Sequence, residues 1–160
     1  MTTPSKPSVE IATHFIRLVK STFELDEKFE PSKERGITTS FDFDVQRSFP
    51  TPKTLSVVVT AELNRNAAGA PFVLSVTYEG SFSVADDEAV ETLRRFARYN
   101  APGMLLPYVR ELISAVTART NIGTLVLPPL NIQRLVDSLE SARDPERTSD
   151  SGGRRIPHFG

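Results

Sequence analysis

Between Ile37 and Val84 apolar side chains fall on every second position, and from Asp86 onward they fall at helical spacing. That change of period constrains the fold more than any other feature of the chain. Ile37, Thr39, Phe41, Phe43 and Val45 alternate with Thr38, Ser40, Asp42 and Asp44 until Pro50 and Pro52 break the run. Leu55, Val57, Val59, Ala61 and Leu63 repeat the pattern against Ser56, Thr60 and Glu62. A polar turn, Asn64-Arg65-Asn66-Ala67-Ala68-Gly69, returns the chain to Phe72, Leu74, Val76, Tyr78, Phe82 and Val84. Residues 10–24, with Ile11, Phe15, Ile16, Leu18, Val19 and Phe23, read as a strand with mixed faces ahead of a charged connection from Glu27 to Arg35. Four such runs predict an antiparallel sheet with one face buried.

The helical part begins where Asp86 and Asp87 occupy N-cap and first-turn positions, with Val90, Leu93 and Ala97 following at helical spacing. Asn100-Ala101-Pro102-Gly103 reads as a break, and a second helix is expected over 104–118. An extended Leu125-Val126-Leu127 stretch, a Pro128-Pro129 stop and a last short helix over 131–142 complete the pattern. Ile132, Leu135, Val136 and Leu139 lie on one stripe of that last helix. The fold class is α+β, with one domain over 1–142 and a disordered tail over 143–160, where Arg, Asp, Ser, Gly and Pro dominate.

One helix carries more apolar surface than a single sheet can cover. At about 100° per residue, Met104, Leu105, Leu106, Tyr108, Val109, Leu112, Ile113, Ala115 and Val116 spread over roughly 200° of the second helix. A helix lying on one sheet needs an apolar stripe of only about 100°. The excess is covered either by the neighbouring helix of the same chain or by another subunit.

The chain offers little material for catalysis. It has no cysteine, which removes disulfides, thiol chemistry and cysteine-ligated metals. Its two histidines are His14, inside the first strand, and His158, near the end, so metal sites and hydrolytic triads lack their usual parts. No glycine-rich phosphate loop is present. Asp42 and Asp44 stand two apart on one strand, as a carboxylate pair or as the wet face of an alternating strand. Asp86-Asp87-Glu88 reads as helix capping, and Arg94, Arg95 and Arg98 share their helix with Glu88 and Glu91 as a solvated face. A formal net charge of −1 gives no general pull toward nucleic acid or anionic membrane. No apolar run approaches the roughly 20 residues of a membrane span, and the segment after Met1 lacks the apolar core of a signal peptide. A cytoplasmic, non-enzymatic protein without cofactor or metal is the expectation.

The segment Asn100-Ala101-Pro102-Gly103-Met104-Leu105-Leu106-Pro107-Tyr108-Val109-Arg110-Glu111 resembles the signature of the SecB family of bacterial export chaperones. The likeness continues through Ile113-Ser114 to Arg119 and into Leu125-Val126-Leu127-Pro128-Pro129-Leu130-Asn131-Ile132. It is looser in Phe72-Val73-Leu74-Ser75-Val76, Gly80-Ser81-Phe82-Ser83-Val84 and Phe23-Glu24. Two departures stand out. Arg119-Thr120-Asn121-Ile122-Gly123 replaces the family's Arg-Gly-x-Phe-Pro, and the end, Arg154-Arg155-Ile156-Pro157-His158-Phe159-Gly160, is basic where the family's is commonly acidic.

The resemblance implies a four-stranded antiparallel sheet packed against a long helix and a short C-terminal helix, assembled as a dimer of dimers. It implies an ATP-independent holder of unfolded or nascent polypeptides, with a client groove of Phe41, Phe43, Ile132, Leu135, Val136 and Leu139. The subunit interface would fall on the long helix at Leu105, Val109, Leu112, Ile113 and Val116. In the family, acids on strands one and four meet the basic tail of the export motor SecA. Here the matching positions are Lys20, Glu24 and Ser75, so two negative charges become one positive and one neutral group, and SecA binding is expected to be weak. Two other readings stay open: a chaperone dedicated to the antitoxin of a toxin–antitoxin pair, and a small-ligand module using the sheet–helix groove.

Overall fold

The computed structural model describes residues 8–31 and 38–143. Ile37, His158 and all but the first residue of the tail expected over 143–160 lie outside the described residues, as does part of the connection from Glu27 to Arg35. Four strands, β1 (Ala12–Leu25), β2 (Phe41–Thr51), β3 (Thr54–Leu63) and β4 (Phe72–Ser83), form one antiparallel sheet in the order β1-β4-β3-β2. A 3₁₀ turn over Asp87–Ala89 leads into α1 (Val90–Arg98), followed by α2 (Asn100–Thr117) and α3 (Ile132–Arg143). This is the α+β arrangement expected from the change of period.

Alternation explains the sheet directly. In β3, Leu55, Val57, Val59, Ala61 and Leu63 are fully buried, while Ser56, Val58, Thr60 and Glu62 lie on the other face. Phe72, Leu74, Val76, Tyr78, Gly80 and Phe82 of β4 join them on the inner face. α1 and α2 cover that face with Leu93, Ala97, Ala101, Leu105, Leu106, Val109 and Ile113. Fully burying a side chain of this size stabilises the fold by about 1.5–3 kcal/mol. Gly80 permits the close approach of α2, because a Cβ there would stand 2.9 Å from Leu105 Cδ1.

Two edges of the sheet are built differently. β1 is bulged between Thr13 and Phe15 and again between Leu18 and Lys20. β2 pairs with β3 without interruption from Phe41 to Ser48. Asn64, with φ 59°, is 1% exposed and ties three strands together. Its Oδ1 accepts from Ser40 N–H (3.0 Å), and its Nδ2 donates to the Phe72 carbonyl (3.0 Å).

One helix boundary departs from expectation. Asn100–Gly103 is not a break but the start of α2, and the discontinuity sits at Tyr99 (φ −120°, ψ −44°). Pro102 is tolerated because first-turn N–H groups have no intrahelical acceptor to lose. After α2, the stretch expected to be extended is pinned along the helix by polar bonds without being a strand. Ser114 Oγ donates to the Leu125 carbonyl (3.0 Å), Leu125 N–H to Thr117 Oγ1 (2.8 Å) and Arg110 Nη2 to the Leu127 carbonyl (2.9 Å).

Candidate functional site

The expected groove residues come together on two elements. Alternation places Phe41, Phe43 and Val45 on the inner face of β2, opposite Leu63, Ala61 and Val59. The Phe41 and Phe43 rings stack with centroids 6.1 Å apart. Asn131 caps the start of α3: its Oδ1 accepts from Arg134 N–H (3.1 Å), a bond that satisfies one free amide of the first turn. Its apolar stripe packs toward the core, with Val136 buried and Ile132, Leu135 and Leu139 half-buried. Phe41 is also half-buried, whereas Phe43 is 8% exposed. Phe43 and Val136 are therefore floor or core, and Phe41, Ile132, Leu135 and Leu139 keep accessible apolar surface.

A polar fastening, not apolar burial alone, holds α3 in place. Arg98 binds Glu140 (2.9 Å) and approaches Asp137 (3.6 Å), and Tyr99 donates its hydroxyl proton to Asp137 Oδ1 (2.7 Å). At the far end Arg143 pairs with Asp44 and donates to the Val45 carbonyl (3.2 Å). Arg143 is thus the last residue of α3 and not the first of a tail. Beneath these, Arg47 donates to the carbonyls of Ala97 and Arg98, both at 2.6 Å, closing the exposed end of α1. Burial lowers the Arg47 pKa from its ordinary value. The Glu140 hydrogen bond raises that of Arg98, and the Asp137 hydrogen bond raises that of Tyr99. Arg47, Tyr99, Asp137 and Glu140 escaped the sequence reading because their partners lie about 40 to 50 positions away, beyond any local spacing rule.

The outer face of the sheet carries Lys20, Glu24 and Ser75. Lys20 stands opposite Thr77, Glu24 opposite Val73, and Ser75 opposite Thr22 and Glu62. Glu79, on the same face, is engaged by Arg17 through Nε (3.0 Å) and Nη2 (2.8 Å) and accepts from Ser56 Oγ (3.3 Å).

The wide apolar arc of α2 divides in two. Leu105, Val109 and Ile113 are fully buried against their own sheet and offer no surface to a partner, which corrects the reading of these three as interface. Leu112 and Val116 are half-buried on the adjoining flank of the helix, in one stripe with exposed Met104 and Tyr108. The Tyr108 ring lies 5.9 Å from that of Tyr78, whose strand partner is Leu18, so this apolar patch continues onto β1. An apolar depression of about 500 Å³ opens at its end, lined by Phe23, Leu25, Leu112 and Val116 among others. Among the described residues no cluster of three metal-ligating side chains occurs, and no helix is long and apolar enough to cross a membrane.

Comparison with known proteins bears on this arrangement. A sequence model of the SecB family, described as preprotein translocase subunit SecB, matches residues 3–142. An uncharacterised protein of Methanocaldococcus jannaschii is 30% identical over 146 residues, covering 90% of this chain and 92% of that one. The protein-export protein SecB of Azoarcus sp. is 30% identical over 91 residues, 57% of this chain and 58% of that protein. Among solved structures, the Mycobacterium tuberculosis SecB-like chaperone in complex with an antitoxin peptide superposes with a TM-score of 0.62 at 19% identity. That match covers 76% of this chain and 91% of the mycobacterial one, and it shows a shared fold. With the family's sequence model running through all four strands and nearly the whole of α3, the chain belongs to the SecB family, a family of non-enzymatic chaperones.

Proposed function

We propose that this chain is an ATP-independent holder of unfolded polypeptides, working in the cytoplasm as a dimer of dimers. The observation that carries the reading is the half-open stripe of Phe41, Ile132, Leu135 and Leu139 between β2 and α3, on a family fold of chaperones. Apolar attraction is nondirectional and grows with area, so such a stripe takes many sequences, and unfolded chains present the matching surface. Assembly is supported by the second apolar patch, Met104, Tyr108, Leu112 and Val116, which the subunit itself leaves uncovered. The test is aggregation of a denatured model protein followed by light scattering, without nucleotide. Substoichiometric oligomer slows aggregation, and the Phe41→Ser/Leu139→Ser variant loses most of that effect while keeping its circular dichroism. Equal holding by parent and variant would place clients elsewhere.

A second reading has a specific observation in its favour. The fold match is to a SecB-like chaperone bound to an antitoxin peptide. On that reading one unstable antitoxin is the main client, and purification from native cytosol returns a single companion polypeptide instead of many.

A further inference from the structure

We infer that residues 154–159 of this chain act as a resident stand-in for clients. They fold back on their own subunit, seat Ile156 and Phe159 on the stripe of Phe41, Ile132, Leu135 and Leu139, and must be displaced before a client is held. The inference rests on the client-binding reading above and adds a regulation of that site. The sequence isolates the segment. Ile156 and Phe159 are the only large apolar side chains after Leu139, and the 12 positions before them, 144–155, are all polar, charged, glycine or proline. Pro157 lies between the two and fixes one backbone angle in advance, which lowers the ordering cost of docking. The fold sets where the segment departs from. Arg143 closes α3 beside β2, paired with Asp44 and donating to the Val45 carbonyl (3.2 Å). The chain therefore leaves α3 one turn beyond Leu139, at an end of the half-buried stripe.

Reach and charge both suit a return to this stripe. α3 has 12 residues and is about 18 Å long. A linker of 12 residues has a root-mean-square span of about 17–21 Å and a limit of about 40 Å, so the apolar pair reaches any point of the stripe. Tethering of this kind gives an effective concentration on the order of 1 mM. A second copy of the chain, present at micromolar concentration, competes poorly with it. Arg154 and Arg155 directly precede the apolar pair. On β2, Asp42 stands between Phe41 and Phe43 and has no ion-pair partner among the described residues, whereas Asp44 is taken by Arg143, Glu62 by Arg65 and Glu140 by Arg98. A depression of about 280 Å³ there is lined by Asp42, Asp44 and Glu62 together with Phe43 and Arg65. An arginine ahead of the apolar pair thus finds an unmatched carboxylate beside the groove. A segment with a dissociation constant on the order of 0.1–0.5 mM would then weaken client affinity by about 3–10-fold. Short apolar stretches are turned away, and long unfolded chains carrying several of them displace the segment.

Because the chain has no cysteine, Gly160→Cys gives a single attachment point for a nitroxide on the full chain. Its effect on methyl signals is read by nuclear magnetic resonance. Ile132, Leu135 and Leu139 should broaden more than Leu18 and Val19 of β1, at the opposite edge of the sheet. Adding Ile156→Ser/Phe159→Ser should erase that difference. Without the label, the same double variant should bind a fluorescent peptide of alternating leucine and threonine, with lysines at both ends, about 3–10-fold more tightly in anisotropy titrations. Equal broadening at the two edges overturns the inference, and so does an unchanged or weaker affinity in the variant. In both cases the client-binding reading stands, provided that the parent protein holds the peptide. If neither parent nor variant holds the peptide or a denatured protein, the client-binding reading falls and the inference falls with it.

Discussion

Glu79 is one of the acids on the outer face near Lys20, and its charge is already matched by the two-point contact with Arg17. It is therefore a poor substitute for the acids that the family presents to the basic tail of SecA. Glu24 remains, opposite Val73, with Lys20 four positions away along the strand. Titration with a SecA C-terminal peptide should show weak or no binding to the natural protein and salt-sensitive binding to Lys20→Asp/Ser75→Glu. Tight binding by the natural protein would mean that the lost charges are replaced from elsewhere. Two further residues have structural consequences of predictable size. Asn64→Ala leaves Ser40 N–H and the buried Phe72 carbonyl without partners, and should cost about 2 kcal/mol or more in denaturant unfolding. Gly80→Ala pushes a methyl group against Leu105 and Phe82, and overpacking of this kind costs about 1–3 kcal/mol.

Among the helices, α3 is the least committed to the core. Of its residues only Val136 is buried, and much of its hold comes from Arg98, Tyr99 and Arg143. Exposed ion pairs contribute about 0–1 kcal/mol each and weaken with salt. Arg98→Gln should therefore speed amide exchange across α3 while β3 and β4 keep their protection. Uniform acceleration over the whole chain would show α3 to be part of the cooperative core. β2, β3, β4 and the last helix were legible because one face of each is apolar at a fixed period. The start of α2 was not: Asn100-Ala101-Pro102-Gly103 contains the residues that usually stop helices, yet a proline in a first turn forfeits no hydrogen bond.

At the level of the whole molecule, the two halves of the α2 arc make opposite predictions. A charge at Ile113, which is 0% exposed, lands in the subunit's own core, so Ile113→Glu should unfold the chain and say little about assembly. Tyr108→Asp/Leu112→Asp places charge on the uncovered side instead. That variant should keep its circular dichroism and its cooperative unfolding, but fall to a lower mass in light scattering at micromolar concentration. A parent protein that is monomeric under the same conditions would remove the dimer of dimers.

The sequence by itself determined the order of elements, the inner faces of β2, β3 and β4, the stripe of α3 and the family, because these depend on local period and on one contiguous motif over 100–132. It also showed that α2 has more apolar surface than one sheet covers. Which part of that surface faces home was decided only by the tertiary structure, since an arc wider than one sheet covers can be seated at more than one rotation about the helix axis. The same holds for the free edge of β2. Strand order is a long-range property, and no local spacing tells that β1 pairs with β4 and leaves β2 at the edge of the sheet beside α3. The ion pairs that hold α3 there join residues about 40 to 100 positions apart, and only the folded chain brings them within hydrogen-bonding distance.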